Sequence, residues 1–261
     1  MFKNIKFIFS SFKLNVKKEW QYKSSFFIQI FLMIVNNAGF IGVFAIIFTI
    51  TNEIGGMNFN DVILLFGISA GGFGVKRLFF AGSQDLRDLV FNARLDVYMT
   101  QPKNLLVNVS TSKTEISAIG DILTSFLVLG LIGATWWWYL AIIPIAIISG
   151  LVYWGAYTFW HSAVFYIKGG DAFAKMGEST MLKAGNYPFS IYDNVVKIVF
   201  ATIIPAYLFT HLPALNILID FNVWWLLVYV GGAIAWLLLA FAFFHLSVRR
   251  YNSGSVMGGR D

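Results

Sequence analysis

Residues 26–50 read FFIQIFLMIVNNAGFIGVFAIIFTI, twenty-five positions in succession without a charged side chain. As a helix this stretch would rise about 37 Å, more than the roughly 30 Å of hydrocarbon in a bilayer. No water reaches that depth to satisfy exposed peptide groups, so a self-bonded helix is the conformation expected. Five further windows share its character, at 59–80, 119–134, 139–166, 192–209 and 223–248. The second ends in Lys76 and Arg77, and the fourth carries Pro144, where a tilt or kink is expected. The fold class read from these windows is an all-α polytopic membrane protein with six transmembrane helices.

The bulk composition agrees. Hydrophobic residues make up 58% of the 261 positions and charged residues 12%, which leaves too little polar surface to cover a soluble globule. Aromatic content is 18%, mostly 27 Phe, which suits lipid-facing and interfacial positions. The absence of cysteine excludes disulfides, thiolate metal sites and cysteine nucleophiles. A net charge of +6 is what cytoplasmic loops of membrane proteins carry, so no nucleic-acid partner is expected. No cleaved signal peptide is expected either, because residues 1–23 hold six lysines and no small-x-small site follows a short apolar core.

Orientation follows from the basic residues. Lys3, Lys6, Lys13, Lys17, Lys18 and Lys23 precede the first window, and Lys76, Arg77, Arg87, Arg94, Lys103 and Lys113 surround the loop after the second. Lys168, Lys175, Lys183 and Lys197 follow the fourth, and Arg249, Arg250 and Arg260 follow the sixth. These are all 19 Lys and Arg of the chain, and the connections 51–58, 135–138 and 210–222 hold none. The positive-inside rule then puts both termini in the cytoplasm, with Trp136, Trp137 and Trp138 in the outer interfacial belt. The expected division is an interfacial segment 1–24 and one transmembrane domain 25–261, with cytoplasmic loops at 81–118 and 167–191.

Within 1–24, Phe2, Ile5, Phe9, Phe12, Val16 and Trp20 recur at spacings of three and four among lysines. That stripe predicts an amphipathic helix in the cytoplasmic headgroup plane. Motifs of soluble chemistry are missing. The run Gly71-Gly72-Phe73-Gly74-Val75-Lys76-Arg77 lacks phosphate-loop spacing, and its glycines are read as close-packing positions. His161, His211 and His245 stand apart from one another, and a hydrogen-bonded structural role is expected of each, with a proton relay the alternative at His161. No catalytic, cofactor-binding or metal-ligating residue is expected. Asn36 and Asn37 are candidates for lining a route through the membrane, or for bonding to neighbouring helices.

The loop 81–118 is the most informative cytoplasmic stretch. Leu86, Leu89, Val90, Ala93 and Val97 make an apolar face at helical spacing, opposite Arg87, Asp88 and Arg94, and Pro102 stops the pattern. One amphipathic helix over 85–99 is expected, suited either to docking a protein or to lying on the membrane. The run DLVFNARLDVYMTQPKN at 88–104, followed by AIGDIL at 118–123, resembles the membrane permease subunits of type-2 ABC exporters, the ABC-2 group. EWQY at 19–22, YPFSIY at 187–192, IPAY at 204–207 and LPA at 212–214 support the resemblance in the same order along the chain. Gln101 departs from it, standing where a basic residue is expected.

The resemblance implies a fold of six spans, an N-terminal interfacial helix, and a coupling helix after span two, with Asp85, Arg87, Asp88, Arg94, Asp96 and Tyr98 contacting an ATPase. It also implies a re-entrant element on the outer side, for which 204–222 is the candidate, and a pathway lined by Asn36, Asn37 and Tyr207. No cofactor belongs to this chain; ATP and magnesium are expected on two partner ABC ATPase subunits. A second copy or a related permease completes the pathway, as a homodimer or heterodimer in the bacterial cytoplasmic (inner) membrane. Two other function classes stay open at this point, a lipid-modifying membrane enzyme and an ATP-independent channel or carrier.

Overall fold

The computed structural model describes residues 2–167 and 170–251, so Lys168 and Arg260 of the orientation pattern lie outside the described residues. The described chain is helical and contains no strand, only an isolated bridge between Ile54 and Met57. Its order is α1 (Phe2–Glu19), α2 (Lys23–Ile50), α3 (Phe59–Phe80), α4 (Leu86–Phe91), α5 (Leu95–Met99) and α6 (Leu105–Ser110). Then come α7 (Ala118–Leu131), α8 (Trp136–His161), α9 (Gly170–Asn186), α10 (Asn194–Thr202), two π-helical turns at Tyr207–His211 and Ala214–Ile219, and α11 (Val223–Val248).

Four helices are long and apolar enough to cross a bilayer: α2, α3 with its continuation to Phe91, α8 with its continuation to Phe165, and α11. A fifth crossing is counted if the bent pair Asn194–Thr202 and Tyr207–Ile219 is one span. Helix α7, with 14 residues, is apolar but shorter. The chain is a multi-pass membrane protein. Helix α3 forms its centre: 83% of its apolar window is buried inside the protein, against 11% for α2 and 17% for α11, whose faces are left for lipid.

Local chemistry explains why α3 sits there. Asn58 and Asp61 form a reciprocal capping box that starts it on the polar side of the 51–58 connection. Gly72 then lets α8 approach closely, since a Cβ there would lie 2.7 Å from that of Ser149. Gly120 does the same between α7 and α2, where a Cβ would lie 2.8 Å from the Ile30 carbonyl oxygen. The contact at Gly72 is of the close kind expected of the glycines in the run 71–74.

The chain departs from the sequence reading between 167 and 223. The expected loop 167–191 is largely the 17-residue helix α9, packed along α8 and α3. It begins with Gly170 against Val164, passes Gly177 over the Trp160 ring, and brings Gly185 against Phe209 and Ser69. The chain then reaches the opposite end of the bundle, where the Ser190 hydroxyl donates to the Gly55 carbonyl and Pro188 and Ile191 crowd the same glycine. Asp171, Lys175, Glu178 and Lys183 kept α9 out of an apolar window.

The expected span 192–209 is not a straight helix. Helix α10, capped by the Asp193 carboxylate on Val196 N–H, stops at Thr202, and the chain turns by 76° before continuing to Ile219. Pro205 lies in the break, where its missing N–H and fixed φ oppose a continuous helix. Ile219 ends beside Asn58, Thr135 and Trp138, the same end of the bundle at which Ser190 entered. The stretch 188–222 therefore enters and leaves at one end. Its turn is anchored by Ser149, whose hydroxyl donates to the Phe209 carbonyl at 2.6 Å.

Candidate functional site

Helices α2, α3, α7 and α9 enclose a cavity of about 480 Å³. From α2 come Met33, Asn36, Asn37, Phe40 and Phe44, spaced three and four apart on one face. From α9 come Ser179, Leu182, Lys183 and Asn186, also on one face, and Tyr187 follows just past its end. The back wall is Phe66, Ser69, Ala70 and Phe73 of α3, with Asp121 of α7 at one end. At the other end Phe44 and Tyr187 meet edge to face, their ring centres 5.7 Å apart.

A line of polar contacts runs from this cavity to the 3₁₀ turn that precedes α4. Asn37 is buried and donates from Nδ2 to Asp121 Oδ1 at 2.9 Å and to Thr124 Oγ1 at 3.0 Å. The other Asp121 oxygen accepts from Arg77 Nη1 at 3.1 Å. Arg77 also donates from Nε to Glu115 at 2.6 Å and from Nη2 to Ser117 at 3.0 Å. Glu115 accepts in turn from Gln84 at 2.6 Å, and Gln84 accepts from Lys76 Nζ at 3.1 Å. Lys76 is fully buried, with its ammonium 3.6 Å from the centre of the Tyr157 ring.

Gln84 lies in the 3₁₀ turn Ala81–Asp85 that leads directly into α4. At Glu115, burial pushes the carboxyl up, but the charge and hydrogen bond of Arg77, with Lys76 and Gln84, outweigh it. The group is held below its ordinary value of 4.5. Nearby, His161 and Glu178 form a separate pair at 2.5 Å between α8 and α9. His211 is buried, with Nε2 2.9 Å from the Tyr187 carbonyl oxygen.

The single helix expected over 85–99 is two, α4 and α5, separated at Asn92–Ala93, where Ala93 has φ +52°. A non-glycine residue in the left-handed region breaks the helical register. The apolar face therefore splits. Leu86, Val90 and Leu95 are buried against Trp154, Phe165 and Phe244, while Phe91, Val97 and Met99 are 41%, 61% and 48% exposed. Trp154 fixes this floor, stacking on Phe80 at 4.1 Å and donating to Ser110 at 2.8 Å.

Of the expected coupling residues, Arg87, Asp88 and Arg94 are exposed, and Asp85, Asp96 and Tyr98 are half-buried. Asp85 lies 3.4 Å from Lys113, and Arg87 3.6 Å from Asp88. Helix α1 crosses behind them: Phe9 and Phe12 pack on Phe79, and Asn15 donates to the Thr111 carbonyl at 3.1 Å. Asn36 and Asn37 both come to the cavity, whereas Tyr207 packs on Phe189 and His211 away from it.

The sequence reading missed Ser69, Asp121, Lys183 and Asn186 as cavity residues. Asp121 is visible as the one acidic residue inside the apolar window 119–134. The polar series Ser179, Lys183 and Asn186, at spacings of four and three, marks a helical face within the expected loop 167–191. Among the described residues, no group of three or more His, Asp or Glu side chains could hold a metal ion.

Residues 33–255 match the model of the family described as ABC-2 family transporter protein. That match spans the cavity helices, the 76–121 polar line and the bent segment before α11. Comparison with curated proteins and with solved structures finds no significant match.

Proposed function

The chain belongs to the ABC-2 family of transporter proteins, and on that premise we propose that it is the permease subunit of an ATP-driven exporter. ATP and magnesium bind to two separate ATPase subunits, and a second copy of this chain or a related permease completes the pathway. It resides in a bacterial cytoplasmic membrane with both termini inside. The chain crosses six times, by α2, α3, α7, α8, α9 and α11, and 188–222 is a re-entrant hairpin on the outer side. A polar helix such as α9 is tolerated at membrane depth when its charged groups face protein or an aqueous path.

The observation that carries this reading is the unbroken polar line from Gln84, beside α4, through Glu115, Arg77 and Asp121 to Asn37 in the cavity wall. The exposed side of α4 and α5 mixes Phe91, Val97 and Met99 with Arg87, Asp88 and Arg94, a surface suited to a protein cleft. Movement of an ATPase against it displaces Gln84 and with it the Arg77 cluster. Because Asp121 holds Asn37, α2 shifts relative to α9 and the cavity changes its opening. Two discrete arrangements of that cluster are what coupling requires.

The test is purification of the tagged chain from its native membranes, followed by identification of co-purifying chains. A chain bearing a phosphate-loop sequence supports the proposal. A complex without one, at full recovery of the permease, contradicts it.

A further inference from the structure

The cavity between α2, α3 and α9 has a wall chemistry that selects a class of ligand. Its volume of about 480 Å³ suits a small organic molecule. One side is apolar and aromatic, with Phe40 and Phe66 at 5.8 Å and Phe44 against Tyr187. The polar groups sit elsewhere and divide into spent and unspent. Both Asp121 oxygens are occupied, by Asn37 and by Arg77, so the one lining carboxylate is already neutralised. Lys183 lines the cavity and has no carboxylate within ion-pair reach among the described residues. Asn186, one turn of α9 further on, is a wall residue whose Nδ2 makes no hydrogen bond among the described residues. Asn36 is exposed on the facing helix, and its side chain makes no hydrogen bond among the described residues.

We propose that this cavity binds an amphipathic anion, its single negative head group held by Lys183 and by the Nδ2 donors of Asn36 and Asn186, its apolar body against the phenylalanine wall. A cation would meet Lys183 with Asp121 already paired. A neutral hydrocarbon would desolvate the ammonium and both amides without giving them a partner. Such an anion has two sources, a single-chain lipid within the leaflet or a water-soluble aromatic acid. The transport meaning of the site rests on the permease reading, but binding itself does not require an ATPase, so the two fail separately.

The experiment uses the full chain in nanodiscs of zwitterionic phosphatidylcholine, with tritiated laurate as probe. Unlabelled laurate, 1-naphthoate, dodecanol and dodecyltrimethylammonium serve as competitors. Saturable laurate binding is expected, displaced by laurate and at least tenfold less well by dodecanol or the ammonium compound. Displacement by laurate alone assigns the site to membrane-derived anions, and displacement by naphthoate as well extends it to soluble ones; both support the proposal. Lys183→Gln should weaken laurate about tenfold or more, while Lys183→Arg, which keeps the charge and controls for folding, stays within about threefold. Equal displacement by dodecanol, unchanged affinity in Lys183→Gln, or absence of saturable binding by the folded wild-type protein would overturn it.

Discussion

Arg77 and Asp121 lie 3.1 Å apart across the α3–α7 contact, and Asp121 is also the residue that holds Asn37 of α2. One ion pair thus links three helices at the inner end of the cavity. Arg77 keeps Glu115 when Asp121 is removed, so the cost of losing Asp121 is that of one charge-assisted bond and of a buried Asn37 short of an acceptor, about 1–3 kcal/mol. Asp121→Leu should therefore lower the unfolding midpoint in detergent melts. Asp121→Asn, which keeps an acceptor for Asn37, should lower it less. Equal melts for wild type and Asp121→Leu would mean that the pair does not hold the helices.

Glu115 makes the same cluster sensitive to acid. Its carboxyl is held below 4.5 in the folded protein, so its contribution is complete above 4.5 and is lost as pH falls through the lower folded value. Wild-type melting temperature should then drop on acidification below about pH 4.5 more steeply than that of Glu115→Gln. Parallel pH profiles would remove Glu115 from the stabilising network.

Helix α9 decides the topology. If it crosses the membrane, a cysteine at Ser190 in this cysteine-free chain reacts with an impermeant thiol reagent in intact cells, as does one at Asn58. A cysteine at Arg94 reacts only after lysis. Protection of Ser190→Cys until lysis would return 167–191 to the cytoplasm and leave α9 packed inside without crossing.

The face of α4 and α5 should be an ATPase contact. The double change Arg87→Glu with Arg94→Glu leaves the buried Leu86, Val90 and Leu95 in place, so insertion and melting should match wild type. Loss of rim charges costs about 1 kcal/mol or less, whereas a desolvated charge pair costs roughly 2–5 kcal/mol. Co-purification of the ATPase should fall at least tenfold. Full retention, with weaker binding to anionic vesicles instead, would make this segment a membrane-surface element.

How far these features were legible depended on what each residue faces. Helices α2 and α11 present Phe and Leu to lipid, so hydropathy alone finds them. Helix α9 escapes because Glu178 is satisfied by His161 inside the protein, and a helix so shielded need not be apolar. The bend before Tyr207 was signalled by Pro205, but its consequence depended on contacts at Gly55 and Phe209 that only the folded chain brings together. Asn36 and Asn37 stood out as amides in an apolar run, and both reach the cavity. Tyr207 had no such signal and lies elsewhere. The break at Ala93 has no cue in its own side chain, since alanine ordinarily favours continued helix.

The most direct test of the account is ATP turnover in liposomes holding the purified permease, the ATPase chain, or both. The permease alone should hydrolyse no ATP. The ATPase should turn over faster when the wild-type permease is present, and that stimulation should disappear with Asp121→Asn, which keeps the fold but removes the charge that ties Arg77 to Asn37. ATP hydrolysis by the permease alone, or stimulation unaffected by Asp121→Asn, would contradict the account.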